Sequence, residues 1–541
     1  MSRKARKKTV AGASGRGAGG NRGPGISRNA GAGRPRSFSF RRAFNVALLV
    51  ALLGVSIIAW RNYALRPNGA DAAAHAAEVA ETGPRPGCVC PADMNLPVFH
   101  IDTGGADIHE MPQRQQFQLY DVEYGVWEPS PRHRATVSLY EPGGYGYTCV
   151  CGAAPPAFTR QATVHMRGQS TLSFPKKQYT LTFEDDDAVP APLSILGMPS
   201  HHKWILSASF ADRSLIRNAL AFKMAGQVMD YSPRLAFCEL LLTSGGPASF
   251  EDGYMGAYLF MEKIERGPDR VDVRKADPDF KDISFIISRD KLKSNDDVLY
   301  TDWSRMSEQL IIEGRLQQRS ALKSVYPGAS TTPEYRNRII EYINKFEYAL
   351  GSATFDKPDS GYRKYVDVDS FVQYAILNDI FKNVDGGSAS MYFYKDLGGK
   401  MKAGPVWDHD LTLGNEIIGN FKAWKSPTGF NMMDAPWFSR MFQDKYFSSR
   451  YENTYKKLRK GVWSDESIEA MIDGTLADLG PAVDRNTARW YAERSSYGYD
   501  YRFDDTDYQN EITELRQFIK DRMNWMDRNI RLVYRLRESA A

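Results

Sequence analysis

Hydrophobic and polar positions alternate in short stretches through the middle of the chain. LPVFHIDT (96–103) is a short apolar run, and ATVSLYE (135–141), ATVHMRGQ (162–169) and QYTLTF (178–183) alternate with period two. That period puts successive side chains on opposite faces and predicts antiparallel strands. GAYLFMEKI (256–264) and ISFIISRD (283–290) read as further strands. SLIRNALAFKMAGQVMD (214–230) has apolar residues at helical spacing, with Asp212 placed to cap it. From about residue 335 the pattern is helical, interrupted by MYFYKD (391–396) and the loop GPVWDHDLTLGN (404–415). The C-terminal stretch 510–536 has apolar residues three and four apart and predicts a long packing helix. No internal repeat is present. Strands first and helices later predict an α+β domain.

The segment before this domain reads differently. Residues 43–60, AFNVALLVALLGVSIIAW, carry no charge. Eighteen helical residues span about 27 Å, close to a bilayer's hydrocarbon thickness. Residues 1–42 hold twelve Lys or Arg and no Asp or Glu. The reading is a disordered basic cytoplasmic tail (1–42), a transmembrane signal anchor (43–60), a linker (61–87) and a globular region (88–541) outside the cytoplasm. A cleaved signal peptide is the alternative reading of the apolar run. Removing the tail's twelve charges from the net +5 leaves −7 for the rest, so the globular region advertises no nucleic-acid partner. Gly15, Gly17 and Gly20 match a dinucleotide fingerprint formally, but no strand precedes them and no helix follows.

The five cysteines change the picture at one end of the domain. Cys88-Val-Cys90 and Cys149-Val-Cys151 are two C-x-C pairs, and Cys238 sits in the apolar run LAFCELLLT. In an oxidising compartment the pairs are expected to cross-link as disulfides. A four-cysteine zinc site is the other reading, although C-x-C is tighter than usual zinc spacing. Cys238 reads as a buried thiol.

Candidate chemistry concentrates in residues 378–415. Asp385 lies in a glycine-containing loop after a helix, and Asp408 and Asp410 follow Trp407. Two acidic loops bracketing a short hairpin can bring carboxylates within a few ångströms. Magnesium takes one or two carboxylates together with substrate phosphates, and a further carboxylate can accept a proton from a hydroxyl nucleophile. Solvated or helix-capping acids are the plain alternative. In RGQSTLSFPKKQYTLTF (167–183), Lys176 and Lys177 alternate onto opposite faces, so one can point inward toward phosphates or both can be solvated. Glu262, inside an apolar strand pattern, needs a cation partner, for which such a lysine is a candidate.

These segments together resemble the CotH kinase family of atypical protein kinases. The motifs are LPVFHIDT, RGQSTLSFPKKQYTLTF, LGMPSHHKWILSASFADRSLIRNALAFKM, GAYLFMEKI, NVDGGSASMYFYKD and GPVWDHDLTLGN, in family order from about 95 to 415, with a family-like helical tail over 416–541. The resemblance implies a diverged protein-kinase-like fold and ATP- and Mg2+-dependent phosphoryl transfer to Ser or Thr of a secreted or surface protein. It implies Asp385 as the catalytic-loop aspartate, Asp408 and Asp410 as metal carboxylates, and Lys177, Glu262 and Arg217 as nucleotide-site residues, with Asn383 and Asp212 in support. Some members carry Asn where Ser390 stands, and His409 replaces an apolar or aromatic residue. No ordinary kinase H-R-D or D-F-G motif and no P-loop is present. The rival expectation is a non-catalytic surface-binding module on the same scaffold, or a calcium site in the acidic loops.

Overall fold

The computed structural model describes residues 88–119, 122–143, 146–152, 154–247, 249–301, 320–415, 425–496 and 508–535. Fifteen strands are formed: β1 (Val98–Asp102), β2 (Arg114–Leu119), β3 (Val122–Trp127), β4 (His133–Tyr140), β5 (Phe158–Met166), β6 (Tyr179–Glu184), β7 (Leu193–Ile195), β8 (Met198–His201), β9 (Lys203–Ser207), β10 (Leu235–Thr243), β11 (Tyr254–Glu262), β12 (Phe285–Asp290), β13 (Ala321–Tyr326), β14 (Met391–Lys395) and β15 (Lys402–Ala403). Seven of them close into a barrel in the order β1-β10-β11-β9-β6-β5-β4. Closure rests on one parallel pairing, β1 with β10, in which Phe99 lies opposite Leu240 and Ile101 opposite Leu242. A second sheet has the order β13-β12-β14-β15, and β2-β3 and β7-β8 are separate hairpins.

Period-two alternation divides the barrel strands between two cores. Phe99, Ile101, Leu181, Phe183, Trp204, Leu206, Leu240 and Phe260 fill the barrel. On the opposite faces of β9, β10 and β11, Ile205, Phe237, Leu259 and Met261 pack into a larger core shared with the helices. A closed barrel removes exposed strand edges, and strands buried on both faces follow from helices covering the outside.

The principal helices are α1 (Arg217–Gly226), α2 (Pro333–Gly351), α3 (Val368–Phe381), α4 (Lys445–Arg459), α5 (Asp465–Leu479), α6 (Ala482–Ser496) and α7 (Tyr508–Asn529). Their starts carry the expected side-chain caps: Thr332 accepts from Tyr335 N, Asp367 from Ser370 N and Ser464 from Ser467 N. α3 is buried almost all round, which makes it the centre of the larger core. α7 buries the stripe Ile512, Leu515, Ile519, Met523 and Met526, at the predicted three- and four-residue spacing. α6 lies along β11, where Asn486 Oδ1 accepts from Ala257 N at 3.1 Å and Trp490 Nε1 donates to Met255 O at 2.9 Å.

The expected fold, a kinase-like α+β domain behind a transmembrane helix, is corrected on two points. The strand-rich half is a closed seven-stranded barrel. Alternation shows where strands lie but not that the first strand returns to pair with one about 140 residues later. Among the described residues, no helix is long and apolar enough to cross a membrane. The apolar run 43–60, the basic tail and the linker lie outside the described residues. The single-pass, extracytoplasmic placement is therefore withdrawn, because run length and apolarity are necessary for a span but do not establish one.

Candidate active site

Two loops on either side of the β14-β15 hairpin carry the acidic residues, and Phe393 pairs with Ala403 across that hairpin. The first loop begins where α3 ends. Lys382 takes the left-handed conformation (φ 50°), and its amide reaches back to Asn378 O and Asp379 O. Asn383 then organises the turn. Its Nδ2 donates to Asn378 Oδ1 at 2.9 Å, and its Oδ1 accepts from Asp385 N at 3.0 Å. Asp385 O accepts from the amides of Ser388 and Ala389. Gly387 (φ +84°) passes so close to Ala435 that a Cβ there would lie 2.1 Å from the Ala435 Cβ, so only glycine fits. Arg289, buried in β12, donates to Gly387 O at 2.6 Å.

The second loop is held by the start of α1. Arg217 Nε donates to Thr412 O at 2.9 Å, and Asn218 Oδ1 accepts from His409 N at 2.7 Å. Asn415 Nδ2 donates to Asp410 O at 2.7 Å, and Leu413 N to Phe381 O at 2.8 Å. Asp408 itself has φ +60° and Ser390, facing it, φ +54°. Left-handed conformations at non-glycine residues cost energy and persist where the surroundings fix them, often at functional sites.

Between these loops the carboxylates converge. Ser390 Oγ lies 3.4 Å from both Asp385 Oδ2 and Asp408 Oδ2. Asp408 has an exposed face, although the protein packed around its other sides is dense. Burial first, then the Asp385 carboxylate, pushes its carboxyl up to about 6, against the pull of Arg167. Asp410 is raised well above the ordinary carboxylate range by burial, then by Asp408, Asp212 and Asp385. Among the described residues neither Asp408 nor Asp410 forms an ion pair. Burial lowers Arg167, and of the charges that oppose this Asp408 acts most strongly, with Asp290 and Asp410 contributing. Arg167 Nη1 donates to Gln178 Oε1 at 3.3 Å, and its guanidinium lies 5.4 Å from the Trp407 ring centroid. On the β12 side, burial lowers Lys293 to about 8, with Arg167 as the first charge acting the same way. His409 is buried, packs edge-on against Phe381 at 5.4 Å and is lowered to about 3 by burial, so it is neutral.

The other residues expected at the site have different partners. Lys177 Nζ donates to Leu172 O at 2.7 Å. The lysine that points inward is Lys176, fully buried, with Nζ donating to Ala257 O at 2.5 Å and Asn486 Oδ1 at 2.8 Å. Glu262 is buried against Arg234 at 2.6 Å, and it also accepts from Arg234 N and Tyr231 OH. The expected Lys177–Glu262 pairing is thus replaced. Arg234 immediately precedes β10, and its carbonyl accepts from Glu262 N, which places the two side by side. Arg217, expected at the nucleotide, is instead enclosed by Asp212 at 2.6 Å and Glu511 of α7 at 2.8 Å. Asp212 Oδ2 also accepts from Arg217 N, the first amide of α1, at 2.9 Å, while the N-cap position itself is Ile216, which makes no side-chain cap. Arg167 was passed over. Its signal was available: an arginine directly after β5, followed by Gly168 at φ +109°, where a Cβ would meet Thr171 Oγ1.

The fold and cleft define a barrel-and-helix domain with an acidic site between two loops and an arginine beside it. The family model for CotH kinase protein matches residues 164–526, which include every acidic and basic residue of this cleft. The chain belongs to the CotH kinase protein family. It is similar to inner spore coat protein H of Bacillus subtilis (strain 168), at 21% identity over 319 residues, covering 59% of this chain and 76% of that protein.

Proposed function

We propose that this CotH-family protein is an atypical kinase that transfers the γ-phosphoryl group of ATP to Ser or Thr hydroxyls of a protein, with Mg2+. The observation that carries the reading is the cluster of Asp385, Asp408 and Asp410, in which burial and then Asp385 raise Asp408, burial and then Asp408 raise Asp410, and Arg167 is the chief cation acting on Asp408. Such a donor set fits a hard divalent cation, which takes carboxylate oxygens and relieves their repulsion. Asp408 and Asp410 would hold it, and bound there the ion supplies charge neutralisation for phosphate oxygens.

This chain's own residues do the rest. Asp385, fixed by Asn383, orients the acceptor hydroxyl and takes its proton. Arg167 replaces Lys177 as the cation facing phosphate, since it is the one that acts most strongly on Asp408. A guanidinium suits a phosphate better than an ammonium because its planar fork donates two parallel bonds. Arg217 and Asn218 position the Asp408 loop from α1.

The test is phosphoryl transfer from γ-labelled ATP to a panel of secreted and coat-type proteins and to the chain itself. Label incorporation that needs magnesium and disappears in Asp385→Asn and Asp408→Asn supports the reading. Incorporation that persists in both folded variants rules out this site, and its absence from wild type across nucleotides and metals favours a binding module on the same scaffold.

A further inference from the structure

Away from the acidic cleft, four cysteines meet where the domain begins. The Sγ atoms of Cys88, Cys90, Cys149 and Cys151 all lie within 4.8 Å of one another, and no other set of three or more His, Cys, Asp or Glu among the described residues converges this closely. Cys88 and Cys149 form a disulfide, with Cα atoms 6.3 Å apart. Cys90 and Cys151 stand beside it, and Cys149 Sγ is 3.2 Å from Cys151 Sγ.

Two further features separate this cluster from a plain pair of cross-links. The first is reciprocal backbone donation. The amide of Val89, inside one C-x-C, points at Cys151 Sγ at 3.3 Å, and the amide of Val150, inside the other, points at Cys90 Sγ at 3.4 Å. Amides directed at sulfur stabilise a thiolate far more than a thiol or a disulfide sulfur. The second is the wall. Met94, Val98, Leu241 and Tyr254 pack around the cluster, with Cys90 and Cys149 buried and Cys88 and Cys151 half-buried. Two disulfides need their sulfurs close only in pairs. A tetrahedral tetrathiolate, with Zn–S of about 2.3 Å, needs all four sulfurs mutually within about 4 Å, and the 4.8 Å convergence seen here is less than about 1 Å short of that.

We propose that, when its disulfide is reduced, this cluster binds one Zn2+ through all four cysteines as a structural clasp. An external dithiol supplies two electrons and two protons and leaves as its own disulfide, so that Cys88 and Cys149 become thiols. Zinc then forms four Zn–S bonds and displaces four protons, one from each thiol. The clasp ties the segment before β1 to the β4-β5 loop, which already meet where Thr148 N donates to Met94 O at 2.7 Å and Thr148 Oγ1 to Leu96 O at 2.7 Å. No open coordination position remains, so the role is structural rather than catalytic. Cys238, buried inside the barrel, takes no part.

The test uses the full chain purified with a thiol reductant and without chelator, then analysed by elemental analysis and by replacement of zinc with Co2+. The expected results are one zinc per chain, the visible bands of tetrahedral tetrathiolate cobalt, and loss of metal together with four thiols on mild oxidation. A chelator should lower the thermal midpoint of the reduced protein and leave that of the oxidised protein unchanged. Cys90→Ser should lose the cobalt spectrum and Cys238→Ser should keep it. Reduced, cooperatively folded wild-type chain that holds no zinc and gives no thiolate–cobalt spectrum would overturn the proposal, and that reading needs no variant to fold.

Discussion

Charged side chains are treated in opposite ways in two regions of this domain, the buried scaffold around α1 and β11 and the more open acidic cleft. At the start of α1, Arg217 has Asp212 on one side and Glu511 on the other. At the end of β11, Glu262 is matched by Arg234 and a tyrosine hydroxyl. Each carboxylate there has an arginine partner. In the cleft, Asp408 and Asp410 are both raised by neighbouring carboxylates, and Arg167 is the chief cation acting on Asp408. Balanced burial holds a scaffold in place, whereas a cluster of carboxylates with little compensation leaves a site that a cation completes. Glu262 and Arg217, expected at the nucleotide, belong to the first kind.

The sharpest way to break this comparison is at Arg217. Arg217→Met removes the cation that the buried Asp212 and Glu511 carboxylates share and releases Thr412 O. It should cost about 3–5 kcal/mol of stability, read from the denaturant midpoint. A cost below about 1 kcal/mol would place Arg217 outside the scaffold. Asp408→Asn should do the reverse. Phosphoryl transfer should fall by about a hundredfold or more, while the unfolding midpoint holds or rises because a repelled carboxylate is removed. A matched loss of stability would show that Asp408 is structural.

A smaller effect separates the two cations. Arg167→Met should weaken MgATP binding about tenfold, roughly 1.4 kcal/mol, and Lys177→Met should leave it unchanged, both by calorimetry. The opposite ranking would restore Lys177 to the site. The smallest effect is with pH. Asp408 is raised from 3.8 to about 6, so the folded state holds its proton more tightly than the unfolded chain does. Stability of the metal-free protein from this group is therefore full below about 3.8 and is lost as pH rises through about 6. Thermal midpoints from pH 4 to 7 should show the fall without divalent ions, and Asp408→Asn should flatten it.

The sequence revealed local features better than long-range partners. An apolar run placed the strand around 98–102, alternation those around 133–140 and 179–184, and the spacing from residue 510 the last helix. The hairpin between the two acidic loops was legible because both loops and both strands lie within forty residues. Barrel closure was not, because β1 and β10 are brought together by packing rather than by a turn. The choice between Lys176 and Lys177 was equally hidden, since it depends on Asn486 of α6, 310 residues from Lys176. Glu262's partner follows from the register of β10 with β11, and periodicity fixes faces without fixing register. Arg167 was visible as a residue but not as a site residue. Its importance lies in which carboxylates it meets across the cleft.

The central claim is that the unbalanced carboxylates and Arg167 together hold a metal–nucleotide complex. The most direct measurement is the thermal midpoint of the chain with magnesium alone, ATP alone and both, in wild type, Asp408→Asn and Arg167→Met. Ligand at about a hundred times its dissociation constant should stabilise the fold by roughly 2.7 kcal/mol, a shift of a few degrees. The account predicts that the full shift needs both magnesium and ATP and is lost in each variant. A cooperatively melting wild-type protein whose midpoint does not move at millimolar MgATP, or moves equally in all three proteins, would contradict it.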